Sequence, residues 1–211
     1  MKLRKKIIGL IFILLLTNLI SICFADAHLK KENTSVEIHA RADENQLKML
    51  NSMDIDNMSP LEIIQAVFPE EARKISTSQK QFMDTPANNF IAVRAQNGSS
   101  NIGYSRKSIK YSSKNDYYSP KHYVDSQLRN FDTDEIIEYE FAYDEVANYP
   151  DPNNYNNSDL IRYCKAEGIA TPASGDYYVQ GRHSWLYIPT GLREWTEMNR
   201  KSYTGSFHYV R

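Results

Sequence analysis

Between residues 175 and 188 the chain reads Gly-Asp-Tyr-Tyr-Val-Gln-Gly-Arg-His-Ser-Trp-Leu-Tyr-Ile. Side chains alternating at period two fit a β-strand and no helix. One face then carries Tyr177, Val179, Gly181, His183, Trp185 and Tyr187. The other carries Tyr178, Gln180, Arg182, Ser184, Leu186 and Ile188. The first face is the more aromatic, so it is expected to pack inward. Gly181 within it marks a bulge or a close approach by another backbone or a ligand.

The same texture runs through the C-terminal two-thirds. Ile137, Tyr139, Phe141 and Tyr143 are expected on one face, with Glu138 and Glu140 on the other. Shorter strands are predicted at 90–93 and 108–112, with others at 123–131, 159–170 and 202–210. Gln96 to Ser100 fits a hairpin turn, and Tyr149 to Asn154 a Pro/Asn-rich loop. Leu192, Trp195 and Met198 stand near helical spacing, which predicts a helix at 191–200. Strands of this kind point to a mainly β fold, an antiparallel β-sandwich or open barrel over about 86–211.

A different texture precedes it. Residues 28–85 are polar and read as a helical, partly disordered segment, a possible propeptide. Ser59-Pro60-Leu61-Glu62 carries a capping-box signature with Pro at the first helical position. Pro69 then interrupts, so two short helices are expected around it.

The first 27 residues read as a secretory signal peptide. Lys2, Arg4, Lys5 and Lys6 precede an apolar run from Ile7 to Phe24, and Ala25 and Ala27 offer a cleavage site. The expected location is therefore extracellular. Cleavage after Ala27 takes Cys23 away and leaves Cys164 as the sole thiol, so no intramolecular disulfide is expected. It also takes the net charge from −1 to about −4. That balance argues against nucleic acid as the main partner. The acidic residues gather at 132–151 and the basic ones at 105–130, a pattern expected to pair across adjacent strands on a solvent face.

Several residues are candidates for chemistry. His183 among aromatics is the first candidate acid or base, with Cys164 and Asp176 as conceivable partners in a nucleophile set. No Gly-x-Ser-x-Gly or His-Glu-x-x-His motif supports them. The five histidines show no pair at metal-ligand spacing. The loop from Asp151 to Asp159 lacks the central Gly of an EF-hand and places Arg162 at the position of its last ligand. A looser metal site would use Asp144, Glu145 and Asp151.

The sequence reading is a secreted, non-catalytic β-rich binding domain that needs no cofactor. It would recognise an extracellular protein, a surface polymer or a second copy of itself. Its contact residues would be Tyr177, Tyr178, Arg182, His183 and Trp185, because tyrosine and tryptophan give rigid amphipathic contact area. The alternatives are a secreted hydrolase using His183 and a membrane-active toxin or antimicrobial protein.

Overall fold

The computed structural model describes residues 34–75, 91–92, 98–105, 107–189 and 192–211. The proposed signal peptide lies outside them. Strand β1 (Thr34–Arg41) leads into α1 (Glu44–Ser52), a 3-10 turn at Ile55–Asn57, α2 (Pro60–Val67) and α3 (Pro69–Lys74). The strands that follow are β2 (Ile91–Ala92), β3 (Gly98–Ser105), β4 (Ser108–Ser119), β5 (Lys121–Asn130) and β6 (Ile136–Val146). Then come β7 (Ile161–Ala170), β8 (Gly175–Tyr187), β9 (Thr196–Tyr203) and β10 (Phe207–Tyr209).

These elements make three layers. A seven-stranded sheet of order β1-β6-β5-β8-β9-β2, with β10 paired to β8, lies in the middle. A three-stranded sheet of order β3-β4-β7 covers one face. The helices cover the other, where Ile63, Ile64 and Phe68 pack with Tyr123, Tyr139, Phe141 and Tyr143. The protein is thus mainly β and open, with sandwiched antiparallel sheets and a few short helices. The two-residue β2 pairs in parallel with β9. No helix of the described residues is long and apolar enough to cross a membrane.

The helices form where the capping chemistry predicts. In α2 the Ser59 hydroxyl accepts from the Glu62 amide at 3.3 Å, and the Glu62 carboxylate accepts from the Ser59 amide at 2.6 Å. Asp43 and Gln46 repeat the device at α1. Pro69 starts α3 directly after α2 stops, because a proline costs nothing where no amide partner exists. Each fully buried Ile or Phe of this layer stabilises by about 1.5–3 kcal/mol relative to exposure.

Several expectations are corrected. Ser35–Arg211 is one compact unit, so the helical segment shares a core with the strands instead of standing apart at residue 85. Part of the segment expected to be disordered is an ordered strand, β1, beside β6. The stretch expected to be helical at 191–200 enters β9 at Thr196, because eight residues there pair with β8 from Gln180 to Tyr187. Gly98 starts β3, and the hairpin joins β3 to β4 with Ser105 opposite Ser108; residues 93–97 lie outside the described ones. Ile137 leaves the face of Tyr139 because the β5–β6 register slips between Leu128 and Arg129, and it packs on the other side of the sheet. The basic and acidic stretches do meet as β5 and β6. Yet Lys121 opposite Glu145 is a buried pair, not a solvent-face one.

Candidate functional site

On β8, adjacent residues face different layers. Arg182 points to the helices and is fully buried. The register puts Asp125 directly across from it. The Arg182 Nε donates to Asp125 Oδ2 at 2.7 Å, and its Nη1 donates to the carbonyls of Ile55 and Met58 at 3.1 and 3.2 Å. Asp125 also accepts from the Tyr123 hydroxyl at 2.8 Å, from Tyr139 at 3.3 Å and from Gln127 at 3.1 Å. Burial opposes the charge on Arg182, but Asp125 beside it holds its pKa above the ordinary value. The guanidinium therefore ties the helical turn at 55–58 to the central sheet.

His183 points the other way, into the sandwich, and is fully buried. The Asn115 amide nitrogen donates to the carbonyls of Tyr123 and Ser184, so its oxygen faces His183 Nδ1 at 2.8 Å. That assigns the proton to Nδ1 and leaves Nε2 to accept from Ser202 Oγ at 2.6 Å. The Ser202 hydroxyl continues to Ser100 at 2.6 Å and on to Ser113 at 2.8 Å. Burial pushes the His183 pKa down to about 4, so the ring is neutral near pH 7. Gly181 lets the two sheets approach here: a Cβ on it would lie 2.7 Å from Ser113 Cβ and closer still to the Ser113 hydroxyl.

The expected contact residues do not form a free surface. Tyr177, Arg182, His183 and Trp185 are buried, and only Tyr178 is partly exposed. Both faces of β8 are covered: Gly181 and His183 meet the smaller sheet, and Gln180 and Arg182 reach the 55–58 turn. The set Cys164, His183 and Asp176 does not assemble either. Cys164 is buried with its thiol hydrogen-bonded to Asp144, and Asp176 pairs with His208 at 2.7 Å. Asp144, Glu145 and Asp151 also diverge. Glu145 accepts from Tyr143 at 2.8 Å and from Tyr149, whereas Asp151 is exposed and caps the amide of Asn153 at 2.9 Å. Asp144 instead groups with Glu37 and His39 of β1, the one metal-compatible cluster among the described residues.

An open groove lies at the junction of the helical layer and the β5–β6 turn. Its volume is about 460 Å³, and Asp54, Asp56, Arg129, Asp134 and Glu135 are its charged lining. The turn is built by Asn130, whose side-chain oxygen accepts from the amides of Asp132 and Thr133 at 2.9 and 3.0 Å. Asp134 adopts φ 60°, a left-handed conformation that Asp tolerates better than most residues. Arg129 contacts Asp134 at 3.0 Å and Asp56 at 3.4 Å. Burial alone would raise the Asp56 pKa, but the Gln180 hydrogen bond and the Arg129 charge hold it below the usual range. The groove therefore has four carboxylates against one cation.

Aromatic rings stand beside it. Phe131 is 56% exposed and meets Tyr178 edge-on at 6.2 Å. The Tyr178 hydroxyl donates to the Asp134 carboxylate. Tyr203, 50% exposed, lies opposite Gln180 on the same face of the sheet. Tyr178 is the one expected contact residue at this site. Sequence spacing gives no sign of the carboxylates, because Asp54 and Asp56 are 75 or more positions from Asp134 in the chain and the fold brings them together. Comparison with protein-family models, with curated proteins and with solved structures finds no match for this chain.

Proposed function

We propose that this is an exported, non-catalytic binding protein whose working surface is the acidic groove with its aromatic rim. The carrying observation is the groove itself: an open cleft with excess carboxylate, bordered by exposed Phe131, Tyr203 and half-buried Tyr178. Excess negative charge favours a cationic partner, and exposed rings add cation–π or stacking contacts. The partner class is an amine-bearing segment of an extracellular protein or surface polymer. A fluorescent lysine-rich peptide and a cationic polysaccharide are the probes. Binding should weaken with salt and fall at least about tenfold in Phe131→Ala/Tyr203→Ala, a loss of about 1.4 kcal/mol. Equal binding by a neutral polymer, or by that variant, would remove the groove from consideration.

One observation favours the hydrolase reading. Ser202, His183 and Asn115 stand in the order of nucleophile, base and orienting group, at 2.6 and 2.8 Å. None of the three lines the groove, however, and Ser202 is only 9% exposed. A fluorophosphonate probe distinguishes the readings. Labelling at Ser202 that vanishes in His183→Gln would establish the hydrolase; the binding reading expects none.

A further inference from the structure

The metal-compatible cluster arises from strand geometry. In β1, Val36, Ile38 and Ala40 pack on the helices, which leaves Glu37, His39 and Arg41 on the other face. Residues two apart on a strand project side by side. The neighbouring strand β6 brings Asp144 to them. His39 Nε2 lies 3.4 Å from Glu37 Oε1 and 4.0 Å from Asp144 Oδ1. All three ligand atoms lie within 4.8 Å of one another.

We infer that Glu37, His39 and Asp144 form a zinc site with three protein ligands and an open fourth position. Zinc holds nitrogen and oxygen ligands at about 2.0–2.2 Å, so tetrahedral neighbours stand about 3.3–3.6 Å apart. The His39–Glu37 separation already has that value, and the His39–Asp144 separation exceeds it by a few tenths of an ångström. Glu37 and His39 have side chains 68% and 51% exposed, so they can close without repacking any core. Asp144 is anchored: its side chain is only 11% exposed.

The donor set selects the metal. Two carboxylates and an imidazole suit zinc and its transition-metal neighbours, whereas calcium takes six to eight oxygens and magnesium a near-octahedral oxygen set. The chain also supplies support behind the ligands. Cys164 on β7 hydrogen-bonds Asp144 from the buried side, as a group that orients a ligating carboxylate does. The nearby cation is neutralised, because Arg41 contacts Glu138 at 2.9 Å and Glu140 at 3.5 Å. His122, across the ladder from Asp144, is committed elsewhere: its Nε2 faces the Ile161 carbonyl at 3.0 Å.

The test is calorimetric titration of the chelator-treated full chain with zinc chloride, followed by cobalt(II) absorption spectroscopy. Expected are one zinc per chain and cobalt bands of four-coordinate intensity without a thiolate charge-transfer band. His39→Ala and Glu37→Gln change exposed side chains only, and each should weaken zinc uptake at least tenfold. Cys164→Ala should keep the stoichiometry and weaken uptake by about tenfold. No stoichiometric uptake, or uptake unchanged by His39→Ala, would overturn the site. A thiolate–cobalt band would overturn the three-ligand assignment.

Discussion

Arg182 and His183 are neighbours in the chain and opposites in environment. Arg182 keeps its charge in a fully buried position because a carboxylate stands across the ladder and two carbonyls accept from its Nη1. His183 is equally buried, yet its partners Asn115 and Ser202 are neutral and it gives up its charge. A paired carboxylate decides which buried group stays ionised. Neither residue has spare capacity for chemistry on an outside molecule: one fastens the helices to the central sheet, the other fastens the two sheets together. The groove differs from both, since its carboxylates outnumber its cation and face solvent.

Breaking the helix-side contact should cost most. A chain beginning at residue 86 lacks β1 and the helical layer, which strips the cover from Tyr139, Phe141 and Tyr143 and leaves Arg182 without the Ile55 and Met58 carbonyls. It should lose cooperative unfolding altogether, as read by near-ultraviolet circular dichroism during denaturation. Next, Asp125→Ala should destabilise by about 3–5 kcal/mol in urea titrations, because it leaves a buried guanidinium unpaired. Replacing both partners, as Asp125→Leu/Arg182→Met, should cost less than Asp125→Ala alone. The reverse order would mean that the pair's attraction, not the orphaned charge, dominates.

On the sandwich side, Gly181→Ala should cost about 1–3 kcal/mol by forcing the sheets apart at Ser113. The pH response has a defined sign. His122 and His183 both have pKa values pushed down to about 4 by burial. Below the unfolded value of about 6.5 the unfolded chain binds protons that the native chain refuses. Their contribution is therefore full above about pH 6.5 and is lost as pH falls toward 4. Glu140 acts oppositely, since burial pushes its pKa up to about 7 and its contribution is lost as pH rises toward that value. A His183→Gln variant should flatten the acid limb of stability measured against pH. An unchanged slope would show that His183 is not held neutral. The smallest effect belongs to a helix end: Ser59→Ala should cost about 1 kcal/mol through the lost cap.

Much of this architecture was legible locally. Alternation marked β6 and β8, and the Ser-Pro-x-Glu signature marked α2, because strands and caps are written in adjacent residues. What failed needed long-range pairing. Leu192, Trp195 and Met198 imitate a helix, yet the edge of β8 captures residues from Thr196 onward as a strand. Arg182 looked like a surface contact because its partner Asp125 lies 57 positions earlier. The groove carboxylates and the Glu37–His39–Asp144 cluster share that character: each is ordinary in the chain and meaningful only when strands are laid side by side.

The most direct measurement is the protonation state of His183 by nitrogen-15 NMR of the imidazole ring through a pH titration. The account predicts a neutral ring with the proton on Nδ1 throughout pH 5.5 to 8, titrating only toward a pKa of about 4. A ring that is already imidazolium at pH 6, or that carries its proton on Nε2, would contradict a sealed structural histidine between the sheets.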